Sequence, residues 1–312
     1  MKLGMIDLDT SHPGSWLPII RETGHDVTCV FDSGTVFPEG YAREFAEEMN
    51  VPTVCETLEA MVPQVDAALI HSCNWDVHVE RARPFVEAGV PVLIDKPMVG
   101  NIGDAEQLIA WADAGKIITG GSSLRYCYET QEFLARPADE VGTIHAAFAG
   151  CGVDEYNYGI HAYANLFGLM GAGCASARWL GEHVQDQFEL VWQDGRRGIV
   201  TVGETPWLPS YATVVTDKTV VQFAPDTAQI YRAFLEHELP ILAGEADPVP
   251  MRELLEPELA AVAGLISKRR DGEPVTLADL TPEDDGYDGA AFAEAYRAKR
   301  LPKYLESRKN QT

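Results

Sequence analysis

The segment DKP, Asp95 to Pro97, is the part of this sequence in which a chemically active side chain is easiest to position. It follows the apolar run PVLI, which is typical of a strand buried on both faces of a parallel sheet. Open α/β sheets bind ligands at the carboxyl ends of their strands. A lysine there can donate to a substrate hydroxyl or carbonyl oxygen and stabilise developing negative charge, while Pro97 fixes the turn. The alternative is that Lys96 forms a surface salt bridge.

The elements that would hold Lys96 alternate between β-type and helical segments over about the first 125 residues. Strand-like runs such as KLGMID, DVTCVFD and DAALIHSC are each followed by a helical pattern. This order indicates a parallel sheet with helices on both faces. We therefore predict an α/β fold whose first domain, residues 1–123, is doubly wound.

After residue 125 the β-type segments become longer, and WQDGRRG and TDKT are typical of hairpin turns. We predict a second, α+β domain at residues 124–285 with a mostly antiparallel open sheet. Two amphipathic segments, TAQIYRAFLEHELPILAG and MRELLEPELAAVAGLISKRR, are expected to cover one face of that sheet. Residues 286–312 are expected to form a polar, partly helical tail.

Charge and composition exclude several classes of partner. The chain has 24 basic and 48 acidic residues and a formal net charge of -24, so its surface would repel nucleic acid and anionic membranes. The six cysteines lack CxxC spacing and are expected to be buried free thiols. With no leader pattern and no apolar run of about 20 residues, we expect a cytoplasmic protein.

Four further segments are informative when taken together: VDAALIHSCNWDVHVERARPFVEAGVPVLIDKP, GGSSLR, YGIHAYANLFGLMG and ISKRRDGEPVTL. Through these segments and their order, the sequence resembles the Gfo/Idh/MocA family of oxidoreductases. The resemblance implies an NAD(P)-dependent sugar or polyol dehydrogenase with an N-terminal Rossmann domain. It also implies a small carbohydrate or polyol substrate, and a homo-oligomer formed through the open sheet of the C-terminal domain.

The resemblance assigns three catalytic residues. DKP is similar to the family's Glu-Lys-Pro motif, so Lys96 would polarise the reacting oxygen. His161, in NYGIH, matches a histidine that acts as general acid/base. The family has an aspartate four residues before that histidine, whereas this chain has Asn157. Asparagine can orient an imidazole but cannot stabilise an imidazolium as a carboxylate does. A purely structural histidine remains the alternative.

Other family positions imply contacts to cofactor and substrate. Asn74 and His78 match the segment that passes beside the nicotinamide ribose, although Asn74 also suits a helix N-cap. Asp95 is expected in the same cofactor site. Arg125 matches an arginine near the active-site entrance, where it could bind substrate or instead link the domains. Asp32 ends the second strand, where an acidic residue binds the adenosine ribose diol and favours NAD over NADP.

The loop DLDTSH departs from the family at the place where the cofactor phosphates bind. Asp7, Asp9 and His12 fall on the three positions of the G-x-G-x-x-G/A fingerprint. A carboxylate about 5 Å from a phosphate costs roughly 3 kcal/mol at an effective dielectric constant near 20. We therefore expect modest NAD binding, with both aspartate side chains turned aside. The phosphates would meet hydroxyls and amides in the segment from Asp9 through Thr10 and Ser11 to His12.

Two other interpretations of this loop remain open. The spacing D-x-D-x-x-H could supply ligands for a divalent metal, although we expect none. Asp9 or Ser11 could instead cap the following helix, and Asp7 could bind local amides without any ligand.

The leading functional hypothesis is an NAD-dependent oxidoreductase that acts on a sugar, a polyol or a related hydroxyl compound. The first alternative is a non-redox sugar lyase, isomerase or hydrolase on the same fold. The second is a catalytically silent sugar-binding subunit.

Overall fold

The structure is a computed structural model that describes residues 1–309. The last three residues of the predicted tail, 310–312, lie outside the described residues. Within the described part, no helix is both long and apolar enough to cross a membrane.

The first sheet has six parallel strands, as predicted for the N-terminal part of the chain. The strands are β1 (Lys2–Ile6), β2 (Asp26–Phe31), β3 (Thr53–Val54), β4 (Ala67–Ile70), β5 (Val92–Asp95) and β6 (Ile118–Gly121). Their spatial order is β3-β2-β1-β4-β5-β6. Every residue of β4 and β5 is buried, as the apolar sequences AALI and VLID require. The order reverses between β1 and β4, so a ligand crevice is expected at the carboxyl ends of these strands.

Helices cover both faces of this sheet. They are α1 (His12–Glu22), α2 (Tyr41–Met49), α3 (Leu58–Met61), α4 (His78–Ala88) and α5 (Ile102–Asp113). Short 3₁₀ turns follow β4 at Trp75–Val77 and β6 at Ser123–Tyr126. Both turns begin near the carboxyl edge of the sheet and therefore lie beside the expected crevice.

The second sheet has seven strands and is mostly antiparallel. The strands are β7 (Ile144–Gly150), β8 (Cys174–His183), β9 (Gln185–Trp192), β10 (Arg197–Val202), β11 (Tyr211–Thr216), β12 (Val220–Phe223) and β13 (Val275–Thr276). Their order is β12-β11-β7-β10-β9-β8-β13, and among the strands of residues 1–309 only β7 and β10 pair in parallel. The predicted fold class, an α/β domain followed by an α+β domain with an open sheet, is confirmed.

Seven helices in the described chain accompany this second half. They are α6 (Tyr128–Ala135), α7 (Ala138–Val141), α8 (Gly159–Met170), α9 (Ile230–Leu242), α10 (Met251–Leu254), α11 (Glu256–Arg269) and α12 (Gly289–Lys309). Helices α8 and α11 share one hydrophobic core with the inner face of the second sheet. They place the start of α8 next to the carboxyl edge of the first sheet.

One predicted packing arrangement is wrong. Helix α9 does not cover the antiparallel sheet, because Phe234 and Leu239 pack with Leu3, Met5 and Trp16 in the core of the parallel sheet. Its amphipathic pattern shows that one face is buried but carries no information about which sheet buries it. As a result, α9 brings residues of the second half of the chain to the crevice.

Candidate functional site

Lys96 follows directly on β5 and reaches into the space between the two sheets. Its Nζ donates to the backbone oxygen of Asn157 at 2.9 Å and to the Asn157 Oδ1 at 3.0 Å. The ammonium also lies 5.5 Å from the centroid of the Tyr158 ring. Burial lowers the pKa of Lys96 from 10.5, while the neighbouring Asp95 opposes that shift. The lysine is therefore held by polar contacts at the carboxyl edge, as the sequence predicts for a strand-terminal residue.

His161 lies in the first turn of α8 and faces the same space. Its Nδ1 is 2.7 Å from the Ser122 Oγ. Burial, followed by the positive charge of Lys96, holds the pKa of His161 well below 6.5. The imidazole is therefore neutral near pH 7, and the bond to Ser122 leaves Nε2 as the nitrogen available to a ligand.

The residue that orients His161 is not the one expected from the sequence. Asn157 accepts from Lys96 and its amide nitrogen lies 3.5 Å from the Asp154 Oδ2, so Asn157 positions the lysine. Ser122, which sequence reasoning missed, bonds the imidazole instead. The signal for Ser122 was its place in GGSS, at the carboxyl end of β6.

A carboxylate and two imidazoles form a buried group beside Lys96. Asp95 Oδ2 is 2.5 Å from the His12 Nδ1 and 3.1 Å from the His71 Nδ1, and Asp95 Oδ1 accepts the Lys96 N–H at 2.7 Å. Burial alone would raise the pKa of Asp95, but its contacts with His12 and His71 hold it well below 3.8. Asp95 therefore remains ionised and positions His12.

These groups converge on a cavity of about 230 Å³. Its polar wall includes Lys96, His161 and His12, and its apolar wall includes Tyr158, Tyr231 and Trp207. The volume is below the range of about 300 to 1,000 Å³ that is typical of pockets for drug-sized ligands. The cavity therefore suits one small polar molecule.

The side chain of Asp7 turns into the protein. Asp7 Oδ1 accepts the Ser33 N–H at 2.9 Å, and Oδ2 accepts from the Ser72 hydroxyl at 2.5 Å and from the Arg81 Nε at 3.1 Å. Its backbone has a φ of 58°, a left-handed conformation that favours glycine. The first fingerprint position thus has a backbone conformation typical of glycine, and both oxygens of its carboxylate are hydrogen-bonded.

Asp9 is also fully buried, but it is less well satisfied. Its Oδ2 accepts the Cys73 N–H at 2.9 Å, and its Oδ1 has no hydrogen-bond partner among the described residues. Burial and the charge of Asp7 raise the pKa of Asp9 to about 7. Neither aspartate faces outward from the loop, so both bind local groups.

The rest of the loop offers few donors to an anion. The Thr10 Oγ1 accepts the His12 N–H at 3.2 Å, and Ser11 makes no side-chain cap. Pro13, in the first turn of α1, has no N–H. Thr10 and Ser11 line the cavity, so they remain candidates for ligand contact.

Three other predicted site residues have structural contacts that change their expected roles. His78 is fully buried with both ring nitrogens on backbone oxygens, those of Met98 and Ser72, so its ring has no free nitrogen for a ligand. Asp95 is buried and its carboxylate contacts His12, so in this structure it acts on an imidazole of the chain. Arg125 donates to the backbone oxygen of Glu253 at 3.4 Å and is absent from the cavity wall, in line with the domain-linking alternative.

Asp32 and Asn74 lie at the edges of the crevice. Asp32 Oδ1 accepts the Leu8 N–H at 3.2 Å, and burial raises the pKa of Asp32. Asn74 Oδ1 accepts the Asp76 N–H at 3.0 Å, which is the helix-cap role considered for it. Their assignment to a cofactor stays a prediction. Among residues 1–309, no group of three or more metal-ligating side chains is placed to hold a metal ion.

Comparisons with known proteins agree with this architecture. Residues 12–120 match the sequence model of the oxidoreductase family with an NAD-binding Rossmann fold. YceM of Salmonella typhimurium, an oxidoreductase by name, is 28% identical over 118 residues, which are 38% of this chain and 36% of YceM. YgjR of Escherichia coli, named as an uncharacterized oxidoreductase, is 25% identical over 109 residues, 34% of this chain and 33% of YgjR. The chain thus spans about a third of the length of the curated relatives it matches.

Solved structures extend the likeness to most of the chain. A probable dehydrogenase from Thermotoga maritima has a TM-score of 0.76 at 15% identity, covering 90% of this chain and 100% of that one. The myo-inositol dehydrogenase of Lactobacillus casei, solved with NAD(H) and myo-inositol, has a TM-score of 0.74 at 15% identity, covering 88% and 96%. At these identities the likeness establishes the fold.

Proposed function

Because residues 12–120 of this chain belong to the Gfo/Idh/MocA family of NAD-binding oxidoreductases, we propose that the protein is an enzyme of small sugars or polyols. It acts at a carbon that bears a hydroxyl or carbonyl oxygen. The observation that carries this proposal is the convergence of Lys96 and His161 on one cavity sized for a single small molecule. The structural likeness to an inositol dehydrogenase supports the same substrate class.

Lys96 and His161 have different roles at the substrate oxygen. The ammonium of Lys96 is anchored by Asn157 and donates a hydrogen bond that stabilises negative charge on that oxygen. The neutral His161 takes up the hydroxyl proton through Nε2 while Ser122 holds the ring. Its lowered pKa keeps it in the basic form at neutral pH.

His12 offers a second position for a proton in the same cavity. The ionised Asp95 orients this imidazole through Nδ1, which is the relation between carboxylate and histidine used in many acid–base sites. The carboxylate that is missing at position 157 is thus matched by Asp95, which contacts His12 from outside the cavity lining. Such a pair can deliver or accept a proton in addition to His161.

The groove beside the cavity does not fit a dinucleotide in the form that the structure describes. Asp7 and Asp9 replace fingerprint glycines, Pro13 removes a donor, and α12 packs along the carboxyl edge. We therefore assign the chain's residues to substrate binding and proton transfer only. The same observations favour a second candidate, a non-redox isomerase or lyase that uses His12 and His161.

Product analysis tests the proposal. The protein is incubated with a panel of inositols and hexoses, with and without NAD, and the products are followed by NMR and by NADH absorbance. We expect conversion of at least one compound and a loss of at least about 10²-fold in Lys96→Met, a typical scale for an electrostatic or acid/base group. The matched control is Lys2→Met, at an exposed strand start, which should retain activity.

The outcome separates the two candidates. NADH formation coupled to conversion identifies a dehydrogenase, and conversion without NADH identifies the non-redox enzyme. Conversion that persists in Lys96→Met, or a panel that the wild-type protein leaves unchanged, would contradict the proposed role of the cavity.

The outer face of the second sheet supports the proposed homo-oligomer. Phe148 and Tyr211 lie on the face of the sheet not covered by α8 and α11, and 42% and 44% of their surface is exposed. Val220, 62% exposed, continues this apolar surface. Light scattering should give a lower molar mass for Phe148→Asp than for the wild-type oligomer. A monomeric mass for both proteins would contradict the proposal.

A further inference from the structure

Helix α12 lies where a dinucleotide would cross the carboxyl edge of the first sheet. In a doubly wound domain the cofactor spans the crevice from the turn after β1 to the acidic residue that ends β2. The helix follows this edge between the loops after β4 and β2. We propose that α12 is an internal occupant of the dinucleotide groove, and that the docked helix and NAD(H) exclude each other.

The first part of α12 is fixed to the loop after β4. The Trp75 Nε1 donates to the backbone oxygen of Tyr287 at 2.8 Å, just before the helix begins. The Ala290 N–H donates to the Asp76 Oδ2 at 3.0 Å, which caps the helix. A Cβ on Gly289 would lie 2.6 Å from the Asn74 Oδ1, so the helix start contacts the predicted cofactor residue closely.

The middle of the helix blocks the route from the cavity to the adenosine end. Ala293 is buried in a cluster with Val36, Phe37 and Cys73. Cys73 is the residue whose N–H binds Asp9, so this contact lies beside the loop that replaces the phosphate fingerprint. Phe292 and Tyr296 flank Ala293 and also line the cavity. A dinucleotide that extended from the cavity past Cys73 would collide with Phe292, Ala293 and Tyr296.

The later part of the helix occupies the loop after β2. The Arg297 Nη1 donates to the backbone oxygens of Gly34 and Thr35 at 3.2 and 3.0 Å, next to Asp32. The Tyr304 ring packs 5.3 Å from Phe37, centroid to centroid. These contacts fall where the ribose and adenine are expected if Asp32 binds the ribose diol.

Charge complementarity favours docking over release. Residues 289–309 contain six basic and two acidic side chains, although the chain as a whole carries a net charge of -24. The helix lies near Asp32 and makes a 2.5 Å ion pair from Arg308 to Glu44. Its hold on the groove should therefore weaken at high salt, because exposed charge pairs are screened.

A matched pair of substitutions tests the proposal without any turnover assay. Ala293→Asp places a carboxylate in the apolar contact with Cys73 and should undock the helix, whereas Ala298→Asp makes the same change at an exposed position of the helix. Calorimetric titration with NADH should give a dissociation constant at least tenfold lower for Ala293→Asp than for wild type or Ala298→Asp. NADH is the appropriate probe because Asp32 would repel the 2′-phosphate of NADPH.

Two further measurements keep the test decisive. If Ala293→Asp does not fold, Arg297→Ala removes two helix-to-loop hydrogen bonds and should tighten NADH binding several-fold. In wild type, saturating NADH should increase amide hydrogen exchange over residues 289–309. Equal affinities in all variants, including no binding by any of them, would overturn the proposal. So would NADH binding with unchanged exchange in the helix.

The result is separable from that of the proposed function. The exclusion concerns the family's groove, and its readouts are NADH affinity and helix exchange. The proposed function is judged by the products and by their loss in Lys96→Met, a comparison at one NAD concentration that does not use the α12 variants.

Discussion

Replacing Asp9 with asparagine should change how the stability of this protein depends on pH. Asp9 is buried, its Oδ1 has no partner among the described residues, and Asp7 lies nearby as a second carboxylate. Burial and that charge raise the pKa of Asp9 from 3.8 to about 7. At about 1.36 kcal/mol per pH unit, ionising Asp9 in the folded protein therefore costs roughly 4 kcal/mol.

The direction of the effect follows from where each state titrates. Well below pH 3.8 the carboxyl is protonated in both states and costs nothing. As the pH rises toward 7, the unfolded chain loses this proton first, so the free energy of unfolding falls. About 2 kcal/mol of the cost is present at pH 5.5, and about 2 kcal/mol more develops by pH 8.5.

Urea denaturation of wild type and Asp9→Asn measures this difference. Between about pH 5.5 and 8.5, where the acidic chain stays well charged, the stability of the variant relative to wild type should rise by about 2 kcal/mol. Burying an amide adds a cost that does not depend on pH, so the slope is the quantity to compare. Asp139→Asn, at an exposed carboxylate, controls for the loss of one charge. A stability difference that is constant across this range would refute the reasoning.

Two further predictions concern buried charges. Arg81→Met leaves the Asp7 carboxylate buried without its cation and should lower the free energy of unfolding by about 3 to 5 kcal/mol in urea titrations. The control is Arg83→Met, at a half-exposed arginine, which should lower it by less than about 1 kcal/mol. Equal costs would contradict the assigned ion pair. Asn157→Asp places a carboxylate beside the Lys96 ammonium and should move the alkaline limb of the pH–rate profile to higher pH. An alkaline limb at an unchanged pH would show that the lysine proton is not required.

Local sequence patterns predict much of the fold because they reflect short-range physics. Apolar runs such as AALI identify strands buried on both faces, and the position of Lys96 after such a run places it at the carboxyl edge. The family resemblance adds His161. The left-handed φ of Asp7 gives the first fingerprint position a backbone conformation that favours glycine, which the residue type at that position does not indicate.

The contacts that were missed join residues far apart in the chain. His12 and Asp95 are 83 positions apart, and nothing near either residue indicates their 2.5 Å contact. The packing of α9 on the first sheet was missed for a related reason, because the sequence of an amphipathic helix does not indicate which sheet its apolar face contacts. Residues 286–312 were expected to form a polar, partly helical tail, and α12 lies in this segment, but its composition does not indicate that Ala293 packs with Val36, Phe37 and Cys73.

The most direct test of the account is a crystal structure of the protein with the sugar or polyol that it converts. The account predicts one reacting oxygen of the ligand within about 3.2 Å of both the Lys96 Nζ and the His161 Nε2, inside the cavity bounded by Tyr231. A ligand bound elsewhere, or one whose oxygens contact neither Lys96 nor His161, would contradict it.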